Sequence, residues 1–133
     1  MLQICIVDDS RPIRERLVAL VLALPGIRNV TEAASVEQAE ALFREGLPDV
    51  VILDIRLPDG SGITLLEELM RQERPPKVIV FTDFAYPQYR ARCLELGAHR
   101  FLEKSTEFQQ IPGIIAQILE GAGSHCTTEA SLR

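Results

Sequence analysis

The feature that most constrains this chain is an alternation of two apolar patterns. Short β-branched runs take turns with longer stretches in which apolar residues recur at helical spacing. Leu2 to Val7 reads as a first strand that stops at Asp8-Asp9. Ser10 is placed to cap a helix with Pro12 in its first turn, and Ile13, Leu17, Leu20, Val21 and Leu24 give its apolar face before Pro25-Gly26 end it. A strand over Asn29 to Ala33 and a helix from Ser35 to about Arg44, closed by Gly46 and Pro48, follow. Asp49 to Asp54 is the most continuously apolar strand candidate, the pattern of a central parallel strand covered on both faces. A turn-rich loop, Leu57 to Gly62, leads to a helix carrying Ile63, Leu66, Leu69 and Met70. Val78 to Phe81, ending at Thr82, is a fourth strand, Pro87 to Leu96 a fourth helix, and His99 to Leu102 a fifth strand ending near Lys104. Ile111, Ile114, Ile115, Ile118 and Leu119 stripe a last helix.

Five strands alternating with five helices predict right-handed crossovers, hence a three-layer, doubly wound α/β domain with a five-stranded parallel sheet. The 133 residues suffice for one such core, and 47% apolar with 25% charged residues excludes a disordered or low-complexity chain. The expected division is a domain over 1–120 and a flexible polar tail over 121–133. A net charge of -5 argues against nucleic acid as the partner of this domain. Cys5, Cys93 and Cys126 form no CxxC pair, which speaks against a disulfide framework or zinc site and fits a reducing cytoplasm. The longest nearly apolar run, Leu17 to Pro25, is too short to cross a bilayer, which takes about 20 residues, so no membrane association is expected. His99 and His125 have no metal-ligand spacing, and Gly60-Ser61-Gly62 lacks the following lysine of a nucleotide-phosphate loop.

In open parallel sheets the ligand site lies outside the carboxyl ends of the strands. That rule gathers Asp8, Asp9, Asp54, Thr82 and Lys104 at one edge. Three converging carboxylates repel one another, each pair by about 4 kcal/mol at 4 Å and an effective dielectric near 20. A divalent cation relieves this, and a few carboxylates with a carbonyl and waters suit magnesium better than calcium. With a lysine and a threonine beside them, the set describes a phosphoryl-transfer site in which an aspartate accepts the group.

These residues, in this order along a five-strand pattern, resemble the bacterial two-component response regulator receiver domain, over about Leu2 to Glu120. Asp54-Ile-Arg-Leu-Pro-Asp-Gly-Ser-Gly62 matches that family's aspartate, two residues, hydrophobe, proline and later glycine. The resemblance implies a flavodoxin-like strand order 2-1-3-4-5. It makes Asp54 the acceptor of a phosphoryl group from a phosphohistidine of a sensor histidine kinase or histidine phosphotransfer protein. Asp8, Asp9, Asp54 and the backbone carbonyl of Arg56 would hold Mg2+, Thr82 and Lys104 would grip the phosphoryl group, and Phe101 stands at the aromatic switch position. Helix four, strand five and helix five would form the switched face, meeting a downstream protein or a second copy in a homodimer. Two departures stand out. Ser105 replaces the proline usual after the lysine, and the residues that tune loss of the phosphoryl group, Arg56 and Phe84, are bulky and lack a water-orienting carboxylate or amide, which predicts slow self-dephosphorylation.

The non-enzymatic receiver is the leading expectation. A magnesium-dependent aspartyl-phosphate phosphatase ranks low, because such enzymes place a second acid two residues after the nucleophile, where Arg56 stands. Met1 directly before the first strand reads as a native start and suggests a stand-alone receiver; the other reading is a receiver excised from a DNA-binding transcription regulator.

Overall fold

The computed structural model describes residues 1–132, with side chains through Gly121. Five strands, β1 (Leu2–Val7), β2 (Ile27–Ala33), β3 (Val50–Leu53), β4 (Lys77–Thr82) and β5 (Arg100–Glu103), form one parallel sheet in the order β2-β1-β3-β4-β5. The helices are α1 (Arg11–Leu22), α2 (Val36–Glu45), α3 (Gly62–Met70), α4 (Pro87–Leu96) and α5 (Ile111–Leu132).

The two-residue period of a strand divides the core into two faces. On one, Cys5, Val7, Val51, Leu53, Val78 and Val80 pack with Ala39 of α2, Leu65, Leu66 and Leu69 of α3, and Cys93 of α4. On the other, Ile4, Ile6, Val50, Ile52, Ile79 and Phe81 meet Leu17 and Val21 of α1 and Ile111, Ile114 and Ile115 of α5. All four residues of β3 are buried, as its unbroken apolar run predicts for a strand with helices on both sides. Each fully buried Val, Leu or Ile contributes about 1.5–3 kcal/mol.

Local signals set the helix boundaries. The Ser10 hydroxyl accepts from the Ile13 N–H at 3.4 Å, and that of Ser35 from the Gln38 N–H at 3.1 Å. Gln38 in turn accepts from the Ala34 N–H at 2.7 Å, tying down the residue before the cap. Gly97 ends α4 in the left-handed region, at φ 113°.

The structure adds three features. The loop after β3 contains a miniature antiparallel pair, Arg56–Leu57 with Gly60–Ser61. Lys104–Glu107 forms a single helical turn continued by a 3-10 turn, Phe108–Gln110, so the segment around Ser105 is helical, and the described residues contain no cis peptide bond. The backbone of α5 runs on to Leu132, past the composition break at Gly121. The side chains of that segment, Cys126 and His125 included, lie outside the described residues, and with them the expectation of a flexible tail over 121–133. No helix among the described residues is long and apolar enough to cross a membrane.

Candidate functional site

Four of the five strands, all but β2, deliver a polar terminus to the same edge. Asp8 follows β1 and is buried, whereas Asp9, one residue on, is exposed. Asp54 follows β3 and is buried too, and Thr82 ends β4 fully buried. Lys104 opens the helical turn after β5 and reaches back across the edge. Its Nζ lies 2.7 Å from Asp8 Oδ2 and 2.8 Å from Asp54 Oδ2. It thus pairs with the two buried acids, and not with the neighbouring Glu103.

Asp8 is held at every polar atom. Its N–H donates to the Ala33 carbonyl at 3.0 Å, Oδ1 accepts from the Ser10 N–H at 2.9 Å, Oδ2 meets Lys104, and its carbonyl accepts from Arg14 Nη1 at 2.7 Å. Asp54 donates its N–H to the Val7 carbonyl at 2.9 Å and accepts at Oδ1 from the Ile55 N–H at 2.7 Å. Burial pushes the Asp8 carboxyl above the usual carboxylate range, against the hydrogen bonds from Lys104 and Ser10. Burial opposes the Lys104 ammonium as well, but hydrogen bonds to Asp54 and Asp8 and their charges outweigh it and raise its pKa.

Asp8, Asp9 and Asp54 each present one carboxylate oxygen, all within 4.8 Å of one another. One ammonium cannot neutralise two buried carboxylates and a third at the rim. The hard oxygen donors and the residual negative charge therefore fit a small divalent cation such as Mg2+.

The remaining expected residues make contacts of their own. Thr82 Oγ1 accepts from the Phe84 N–H at 3.0 Å. The Arg56 guanidinium lies 4.1 Å from the centroid of the Phe84 ring, so the residues two after Asp54 and two after Thr82 stack on each other. Phe101 is buried in the face shared with α3 and α4, with Arg90 over its ring at 5.8 Å and Arg90 Nη1 donating to its carbonyl at 3.1 Å. Gly62 closes the acceptor loop by donating its N–H to the Ile55 carbonyl at 2.6 Å. A Cβ there would overlap the Asp54 carbonyl oxygen and lie 2.9 Å from its carbon. The glycine of the sequence motif thus has a steric reason.

Two contributors escape the sequence reading. Asp59, in the turn of the same loop, accepts from the Val36 and Glu37 N–H groups at 2.8 and 2.9 Å, tying the loop to the start of α2. Arg14 grips Asp8 and also Glu32 of β2. The only local hint of the second was a basic residue following the aspartate pair by less than two helical turns.

The family described as response regulator receiver domain matches residues 4–116. The DNA-binding transcriptional activator DevR/DosR of Mycobacterium tuberculosis is 31% identical over 123 residues, covering 92% of this chain and 56% of that protein. A protein-glutamate methylesterase/protein-glutamine glutaminase of Alkalilimnicola ehrlichii is 36% identical over 115 residues, covering 85% of this chain and 29% of that protein. The chain thus spans well under two thirds of these relatives. Among solved structures, response regulator protein TrrA of Thermotoga maritima, in complex with Mg(2+)-BeF, is 30% identical with a TM-score of 0.74, covering 88% of this chain and 98% of that one.

Proposed function

The chain belongs to the response regulator receiver domain family, and from that premise we propose that Asp54 is its phosphoacceptor. In this reading an Asp54 carboxylate oxygen attacks the phosphorus of a phosphohistidine on a sensor histidine kinase or histidine phosphotransfer protein. A P–O bond forms as the P–N bond breaks, and the imidazole leaves with the electron pair and takes a proton from water. The observation that carries the proposal is the Lys104 ammonium, 2.7 Å from Asp8 Oδ2 and 2.8 Å from Asp54 Oδ2, at the carboxyl edge of the sheet.

Asp8, Asp9 and Asp54, with the Arg56 carbonyl, would hold Mg2+, which when bound offsets the carboxylate charge and polarises phosphoryl oxygens. Lys104, already on the acceptor carboxylate, keeps a cation within reach of the oxygens added there, and Thr82 supplies a hydroxyl. Phosphorylation adds about -1.5 to -2 charges. Drawing Thr82 inward vacates space for Phe101 to rotate, altering the face of α4, β5 and α5 for a downstream protein or a second copy of the chain. Arg56 and Phe84, stacked on each other, offer neither a carboxylate nor an amide at their own positions to orient water, so self-dephosphorylation is slow. The domain works in the cytoplasm as a binding switch and does not itself contact nucleic acid.

Incubation with acetyl phosphate and Mg2+, followed by intact mass measurement, tests this. The expected result is a lasting gain of one phosphate, absent in Asp54→Asn. Equal labelling of Asp54→Asn overturns the proposal, and hydrolysis of many equivalents without a labelled chain favours a phosphatase instead. A second reading, the receiver of a longer transcription regulator, draws on DevR/DosR, of which the chain covers 56%.

A further inference from the structure

We propose that Arg14 is a positioning residue for the divalent-cation site, fixing the turn that carries Asp8 and Asp9, while Glu32 cancels its charge so that it does not repel the cation. The inference rests on the receiver reading of that site. The sheet ladder at β1 ends at Val7, which pairs with Ala33 and Leu53. The Asp8 carbonyl therefore lies beyond the last rung, and the group that meets it is Arg14 Nη1 at 2.7 Å. The same guanidinium places Nε 3.1 Å from Glu32 Oε1 on β2, and its side chain is only 15% exposed against 43% for Glu32.

Three elements thus converge on one planar fork: the turn after β1, helix α1 and strand β2. A lysine cannot copy this, since a single ammonium on a flexible stem does not present two edges at fixed angles. The electrostatics require the second partner. A cation beside Asp8 disfavours a metal ion at the same cluster, and pairing with Glu32 removes most of that field. An exposed Arg–Glu pair by itself contributes little to stability. What distinguishes this one is that its other edge holds the main chain of a metal-ligand candidate, and partners of that kind typically alter metal affinity 10- to 100-fold.

Calorimetric titration of the full chain with Mg2+, alongside melting curves in chelator, tests the proposal with Arg14→Gln, Arg14→Lys and Glu32→Gln. The expected outcome is about a tenfold loss of Mg2+ affinity in Arg14→Gln. Arg14→Lys, whose donors all sit on one nitrogen, should fall between it and the parent. Glu32→Gln should bind a few-fold more weakly although Arg14 still reaches the carbonyl. A purely structural role lowers the melting temperature and leaves the affinity of the folded chain unchanged; a parent-like affinity in Arg14→Gln overturns the inference. Should Arg14→Gln not fold, parent-like affinities in both other variants overturn it equally. A parent chain that binds no Mg2+ and gains no phosphate on Asp54 overturns the receiver reading itself, a result distinct from failure of the variants alone.

Discussion

Replacing Lys104 by methionine removes the one ammonium between two buried carboxylates and keeps most of the side-chain volume. The stranded acids, Asp8 at 2% and Asp54 at 5% exposure, then face each other with no cation between them. Breaking a buried ion pair from one side costs about 3–5 kcal/mol. An independent ceiling comes from protonation, because a stranded carboxylate can escape by taking up a proton. Starting from the ordinary value of 3.8, doing so at neutral pH costs about 4 kcal/mol, at about 1.4 kcal/mol per pH unit. The two figures agree, and for a domain of this size about 3–4 kcal/mol corresponds to a fall in melting temperature of about 10–15 °C. Urea unfolding of parent and Lys104→Met in chelator at neutral pH reads the difference directly. The pH dependence carries the stronger test. Burial already raises the Asp8 carboxyl in the parent, so acid protonates it and removes the charge that Lys104 balances, and the gap between the two proteins should narrow as pH falls. Adding Asp8→Asn to Lys104→Met should recover part of the loss at neutral pH. A gap below about 1 kcal/mol, or one that does not change with pH, refutes the view that these charges are mutually dependent.

Gly62→Ala forces a methyl group onto the Asp54 main chain, which cannot move aside as a flexible side chain could. A loss of about 3 kcal/mol or more in chemical unfolding is expected, together with slower labelling of Asp54 by acetyl phosphate. In Asp59→Asn one of the two carboxylate oxygens that accept from the α2 N–H groups is lost. The parent carboxyl is held below its usual range by the Glu37 and Val36 N–H groups. Its contribution is therefore present above the unfolded pKa of 3.8 and is lost as pH falls through the lower folded value, so unfolding curves of parent and variant should converge at strongly acid pH. Arg56→Ala unstacks Phe84 and opens the rim to water. The lifetime of phospho-Asp54, followed by mass spectrometry after removal of the donor, should shorten; an unchanged lifetime denies the stack a shielding role.

The succession of strands and helices along the chain, the caps at Ser10 and Ser35 and the placement of Asp8, Asp54 and Thr82 at strand ends were legible because each rests on local sequence. An apolar run that halts at an aspartate announces both a strand and the end that faces the site. The flavodoxin-like order β2-β1-β3-β4-β5 was likewise expected from the receiver resemblance and is the order observed. What stayed hidden depends on residues distant in the chain. Asp59 looks like any turn aspartate until α2 is brought beside it, 22 residues and more from its partners. Arg14 looks like a solvated helix residue until β2 supplies Glu32. The helical turn at Lys104 could not be anticipated from the family's usual proline, because Ser105 leaves every backbone N–H of that segment available and Glu107 accepts the Glu103 N–H at 2.9 Å. The stack of Arg56 on Phe84 joins two loops that share no local signal.

With its main-chain N–H, its carbonyl and both side-chain oxygens engaged, Asp8 behaves as a stator. Across the pocket, the Thr82 hydroxyl bonds to the Phe84 N–H two residues on, and Lys104 reaches in on a long flexible stem from a single helical turn. On the proposed function, a group added at Asp54 would meet an Asp8 side anchored at four atoms and a β4–β5 side held through side chains, so the response would be carried by Thr82 and Lys104.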